Sequence, residues 1–212
     1  MLGTHDLPLF VISGLLLNVT PGPDTLYIVG RSSTQGFRAG ATAALGIGAG
    51  ILVHITAAAL GLAAILAASA SAFTVVKIAG AAYLVYVGVS LIVSPGRPSG
   101  PAATAQFPPA TLRTVFLQGF LTNVLNPKVA LFFLAFLPQF VEPAAPSKPL
   151  AFLFLGAIFN LNGTLWNLFV AWSSARIGGG FRRNAAATRW FTRCVGGAFI
   201  LLGIRLALVK DG

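Results

Sequence analysis

The 212 residues are 56% hydrophobic and 8% charged, with a mean hydropathy of +0.86; a soluble domain carries roughly a quarter of its residues charged, so a water-soluble fold is excluded and an all-α integral membrane protein indicated. The formal net charge is +10, but the basic residues sit in short connectors between apolar runs rather than in a stripe interleaved with aromatics, which argues against nucleic acid as a partner. The single cysteine, Cys194, lies in an apolar run, where it excludes an internal disulfide and supplies no metal-ligand spacing.

A bilayer core of about 30 Å needs about 20 apolar residues per helix. Six runs meet that length, near 7–30, 39–66, 72–93, 115–138, 149–173 and 190–209. His5 and Asp6 precede the first in place of a basic region, and no small-residue cleavage pattern follows Leu17, so it is read as a span and not a removable leader. Its second part reads "NVTPGPDTLYIVG". Pro21 and Pro23 each remove a donor and break the helix, and Gly22 permits conformations costly to other residues. Pro23 is placed to begin a second half-helix, whose positive end would face the break. Facing lipid, the freed carbonyls would be costly; facing a cavity, they become ligands.

Span 2 carries "GIGAG" at 46–50, and span 6 carries Gly196, Gly197 and Gly203; small residues at such spacing form helix-packing faces. His54, in the middle of span 2, either shuttles a proton or is a satisfied interhelical histidine. After span 3, residues 94–114 are rich in Pro, Gly, Ser and Ala and read as a flexible cytoplasmic linker. The linker divides the chain into a first three-helix repeat, 1–93, and a second, 115–212.

Span 4 repeats the oddity of span 1: "TNVLNPKVALFF" again sets asparagine and proline before an ionisable group. Asn18, Pro21, Pro23 and Asp24 in the first half correspond to Asn123, Asn126, Pro127 and Lys128 in the second. Three spans per half is an odd number, so the halves enter the membrane in opposite senses, and paired interrupted helices in such an inverted repeat point to the substrate site. A charge near the bilayer centre costs roughly 2.5–3.5 kcal/mol on insertion scales. At 1.5 Å per residue, Asp24 falls about 10 Å and Lys128 about 20 Å from the cytoplasmic edge. One pocket holding a carboxylate, an ammonium and freed carbonyls complements a zwitterion, with Lys128 for its carboxylate and Asp24 for its ammonium or for a coupling proton. The alternative is a fixed ion pair joining the halves. In span 5, Asn160 and Asn167 share a helix face and either line the path or bond across helices.

The connectors alternate in charge. Arg31 and Arg38, Arg97 and Arg113, and Arg176, Arg182, Arg183 and Arg189 occupy three of them, while the other two hold Glu142 and Lys148. The positive-inside rule puts the three basic connectors in the cytoplasm and both termini outside. Trp172 and Trp190 flank the most basic connector, as interfacial aromatics do. Lys77 and Arg205 near the outer ends, and Arg193 near the inner, can snorkel.

The "TPGPD" at 20–24, the "NPK" at 126–128, the length and the six spans closely resemble the LysE/RhtB family of amino-acid exporters. The resemblance covers essentially the whole chain. It implies a secondary transporter of the bacterial inner membrane that exports amino acids or close derivatives, driven by the proton gradient. Pro21, Gly22, Pro23 and Asp24 would form its first signature, and Asn126, Pro127 and Lys128 the second. Asp24 is the sole acidic residue within a span, which favours a neutral substrate. Asn160 joins the substrate-binding candidates, and His54 joins Asp24 as a proton-coupling candidate. No cofactor or metal is expected, and homo-oligomerisation stays open. Neither a serine paired with a usable histidine nor a carboxylate pair indicates an enzyme. Export of inorganic cations or another small metabolite is the alternative, although one aspartate is thin provision for a cation site.

Overall fold

A computed structural model of the chain describes residues 2–64, 70–93, 108–142, 144–177 and 185–208. Eight α-helices run through them: α1 (Leu7–Val19), α2 (Pro23–Gln35), α3 (Phe37–Ala57), α4 (Ala70–Val93), α5 (Leu112–Val124), α6 (Pro127–Ala135), α7 (Lys148–Ile177) and α8 (Ala185–Leu208). A π-helical turn, Ala58–Leu62, prolongs α3, and a 3-10 turn, Leu137–Phe140, follows α6. No strand occurs among the described residues beyond an isolated bridge between Thr4 and Val141. Residues 94–107 of the expected linker, with Arg97, lie outside the described residues, as do Arg182 and Arg183.

Two helical segments are long and apolar enough to cross a membrane, Phe37–Leu62 and Lys148–Arg176; a third is obtained if Leu112–Val124 and Pro127–Phe140, bent by 50°, count as one span. Leu7–Val19, Ala81–Val93 and Arg193–Ile204 are shorter apolar helices. The expected first span falls short because its break divides it into helices of 13 residues each. Helix α2 also runs five residues past the expected end of that span, so that Arg31, assigned from sequence to a connector, lies inside a helix and is 3% exposed.

Helix α3 is the centre of the bundle, touching α2, α5 and α7, while α4 pairs with α8. Of the glycines expected to form packing faces, those such as Gly50 and Gly196 do so: a Cβ on Gly50 of α3 would stand 2.9 Å from the carbonyl oxygen of Phe120 on α5, and one on Gly196 of α8 would stand 2.6 Å from that of Gly88 on α4. Gly197, by contrast, faces open space. Between α1, α6, the 3-10 turn and α7, an aromatic core gathers Phe10, Phe132, Phe133, Phe136, Phe140 and Phe159, with Phe132 and Phe159 stacked at 4.7 Å.

The bundle has two polar ends. At one, the N-terminal residues join the segment after α6, His5 N–H donating to Phe140 O at 3.1 Å and Glu142 N–H to Gly3 O at 2.8 Å. At the other, Arg31 donates to Gln35 (2.7 Å), to Pro108 O (2.9 Å), to Gln118 (2.7 Å) and to the Tyr27 hydroxyl (3.3 Å). Gln35 adds a bond to Ala110 O at 2.9 Å.

Candidate functional site

The two sequence oddities are both helix breaks, and they are built alike. Pro23 and Pro127 each occupy the first turn of a new half-helix, α2 and α6, where their missing N–H costs nothing. Asn126 caps α6, its side chain accepting from Lys128 N–H at 3.1 Å. Gly22 precedes α2 with φ −151° and ψ −173°. That is extended backbone open to any residue, so glycine is not required here for its conformation. Nor is it required for space: a Cβ would lie 3.9 Å from Lys128 Nζ, an ordinary contact distance.

The breaks are braced across the halves. Lys128 Nζ donates to Leu17 O at 3.0 Å and Thr20 O at 3.1 Å, the carbonyls at the end of α1. Asn123, in the last turn of α5, donates from Nδ2 to Asp24 Oδ2 at 2.8 Å. Asp24 and Lys128 line a common cavity. They form no ion pair within 4.0 Å among the described residues, so the fixed pair considered from sequence is absent.

The cavity leaves about 30 Å³ for the centres of water-sized molecules, enough for about two waters. Its lining mixes polar residues, Asn18, Asp24, Asn123, Asn126 and Lys128 among them, with the apolar Leu17, Ile47, Ile51, Val129 and Phe159. Three of its polar atoms are buried without a hydrogen-bond partner: Asn18 Nδ2, Asp24 Oδ1 and Asn123 Oδ1. A buried polar atom left unpaired costs about 1–3 kcal/mol. Three orphans around one cavity, a donor and two acceptors, are complementary to a ligand that brings both an acceptor and donors.

Of the sequence candidates, Gly22, Asp24, Asn126 and Lys128 line the cavity; Pro21, Pro23 and Pro127 shape the breaks without lining it. Asn160 does not line it either: its Oδ1 accepts from Thr164 at 3.3 Å. Its face-mate Asn167 does, and the choice between them needed the level of the cavity along α7, which spacing alone does not provide. His54 is likewise outside the lining; its Nε2–H donates to Asn123 O at 3.1 Å, with the ring stacked on Phe133 at 5.9 Å. Tyr83, not singled out from sequence, donates to Lys128 O at 3.3 Å and ties α4 to the second break.

The family model described as "LysE type translocator" matches residues 15–210. Over 97% of its length the chain is 34% identical to an uncharacterized membrane protein of Pseudomonas aeruginosa, of which it covers 96%. It is 31% identical to one of Bacillus subtilis, over 79% of this chain and 82% of that one. The leucine efflux protein of Salmonella typhimurium is 24% identical over 95% of this chain and 94% of its own. No solved structure matches.

Proposed function

The chain belongs to the LysE type translocator family, whose members are membrane transporters and not enzymes, and from that premise we propose that it exports a neutral amino acid from the cytoplasm in exchange for protons. The observation that carries the reading is the trio of unpartnered atoms around the cavity. The substrate ammonium donates to Asp24 Oδ1 and Asn123 Oδ1. Its carboxylate accepts from Asn18 Nδ2 and from Lys128, whose ammonium has three donors, two of them engaged. Leu17, Ile47, Ile51, Val129 and Phe159 then take an uncharged, aliphatic side chain, in keeping with the leucine efflux relatives.

The cavity has room for about two waters, so seating an amino acid requires the half-helices to part. The site is shared by two repeats of opposite orientation, six spans in all, in the bacterial inner membrane with both termini outside. The bracing supports this: Asp24 and Lys128 stand at equivalent second positions of α2 and α6, and each reaches the last turn of the helix before the other's break.

Purified protein in proteoliposomes loaded with a mixture of labelled amino acids, under an inward proton gradient, should release a neutral aliphatic label faster than empty vesicles. Release of none of them by folded, inserted protein would sink the reading.

A further inference from the structure

The break between α1 and α2 is short of donors. Residues 20–23 bring four carbonyls, but Pro21 and Pro23 bring no N–H, and the Thr20 N–H is spent on Leu16 O at 3.1 Å. The carbonyls of Leu17 and Thr20 also lie at the negative end of α1. Carbonyls unwound in this way are the groups that hold a coupling cation in transporters with broken helices. Here a side chain reaches them instead: Lys128 Nζ, 3.0 and 3.1 Å away. Its position in the first turn of α6 is an unfavourable place for a cation with respect to its own helix. Lys128 is therefore placed for α1, not for α6.

We propose that the Leu17 and Thr20 carbonyls are a monovalent-cation site that the Lys128 ammonium fills permanently, as a cation tethered to the other half of the molecule. No dissolved sodium or potassium is then needed to complete the break, and none is carried in the cycle. Removing the side chain exposes the site to ammonium, whose donors reproduce those of Lys128, and more weakly to potassium or sodium. The inference stands on the α1 break alone, whichever solute is exported.

The test is the thermal unfolding of purified wild type and Lys128→Ala in ammonium, potassium, sodium or choline chloride at equal ionic strength. Wild type should unfold at one temperature in all four salts. Lys128→Ala should unfold lower in choline and regain about 3 °C in ammonium, the rise expected where the ion is about tenfold above its Kd. Equal unfolding temperatures of Lys128→Ala in all four salts, or a sodium-specific stabilisation of wild type, overturns the proposal. Should Lys128→Ala fail to fold in every salt, Lys128→Met decides: it fills the space without charge, so it should unfold below wild type and ignore the salt, and wild-type stability in it refutes the tethered cation. Because unfolding is read, failure here is distinct from failure to find an exported amino acid.

Discussion

Asp24 and Asn123 meet at 2.8 Å and leave one oxygen each unpaired, which makes the carboxylate a residue held ready rather than satisfied. Asp24→Asn keeps an acceptor for Asn123 and removes the charge, so the fold should survive. A charged hydrogen bond is worth about 1.5–3 kcal/mol, and export should fall about ten- to a hundredfold, measured as initial efflux from proteoliposomes containing equal amounts of inserted protein. Asn167 and Asn160 give a sharper contrast because they share one helix. Asn167→Ala removes a cavity-lining amide and should raise the apparent KM about tenfold, the value of one neutral hydrogen bond at the upper end of its range. Asn160→Ala loses a bond to Thr164 away from the cavity and should leave KM within about twofold; the reverse order would misplace the pocket. The ionisable pair and the prolines were legible in the sequence because charge and helix breakage are conspicuous among apolar residues. The role of Asn123 as a brace was not, because it depends on which helix end faces Asp24, and that is tertiary information.

At the scale of elements, the glycine faces were legible and Arg31 was not. Glycine spacing reported close approach at Gly50, where an added Cβ would stand 2.9 Å from Phe120 O; Gly119, not singled out from sequence, lies so near Ala43 O that a methyl group has no room. Gly119→Ala should therefore separate α3 from α5 and cost about 1–3 kcal/mol, read as a lower unfolding temperature. Arg31 looks like an ordinary flanking charge, yet α2 carries it inward, where its guanidinium holds Gln35, Gln118, Tyr27 and the carbonyl of Pro108 together. Removing it strands several polar groups at once. Arg31→Ala should destabilise by about 3 kcal/mol or more. Arg31→Lys should recover less than half of that loss, since an ammonium cannot reproduce the planar fork of donors; full recovery would mean that charge alone matters there.

For the whole molecule, the polar ends constrain the path of the chain more tightly than helix length does. Residues 3–5 join 140–142 at one end, and Arg31 and Gln35 join Pro108 and Ala110 at the other. The segment from 5 to 31 therefore connects the same two ends as the segment from 110 to 140. Both broken segments cross the membrane, or both are re-entrant and neither crosses. Arg31 belongs to the second end, and Arg38 and Arg113 lie within three residues of Gln35 and Ala110 along the chain; the expectation from the positive-inside rule is that this end faces the cytoplasm. An aspartate and a lysine deep in a cavity shared by the two breaks favour crossing, since a site open to either side in turn must lie between them. Reporter fusions separate the cases. With crossing, a fusion at Arg97 is active only in the cytoplasm and one at Glu142 only outside, and their opposite signs carry the N-terminus outside with Glu142. If both fusions report the same side, α5 and α6 form a hairpin, α1 and α2 must do the same, and the two-repeat arrangement fails with them.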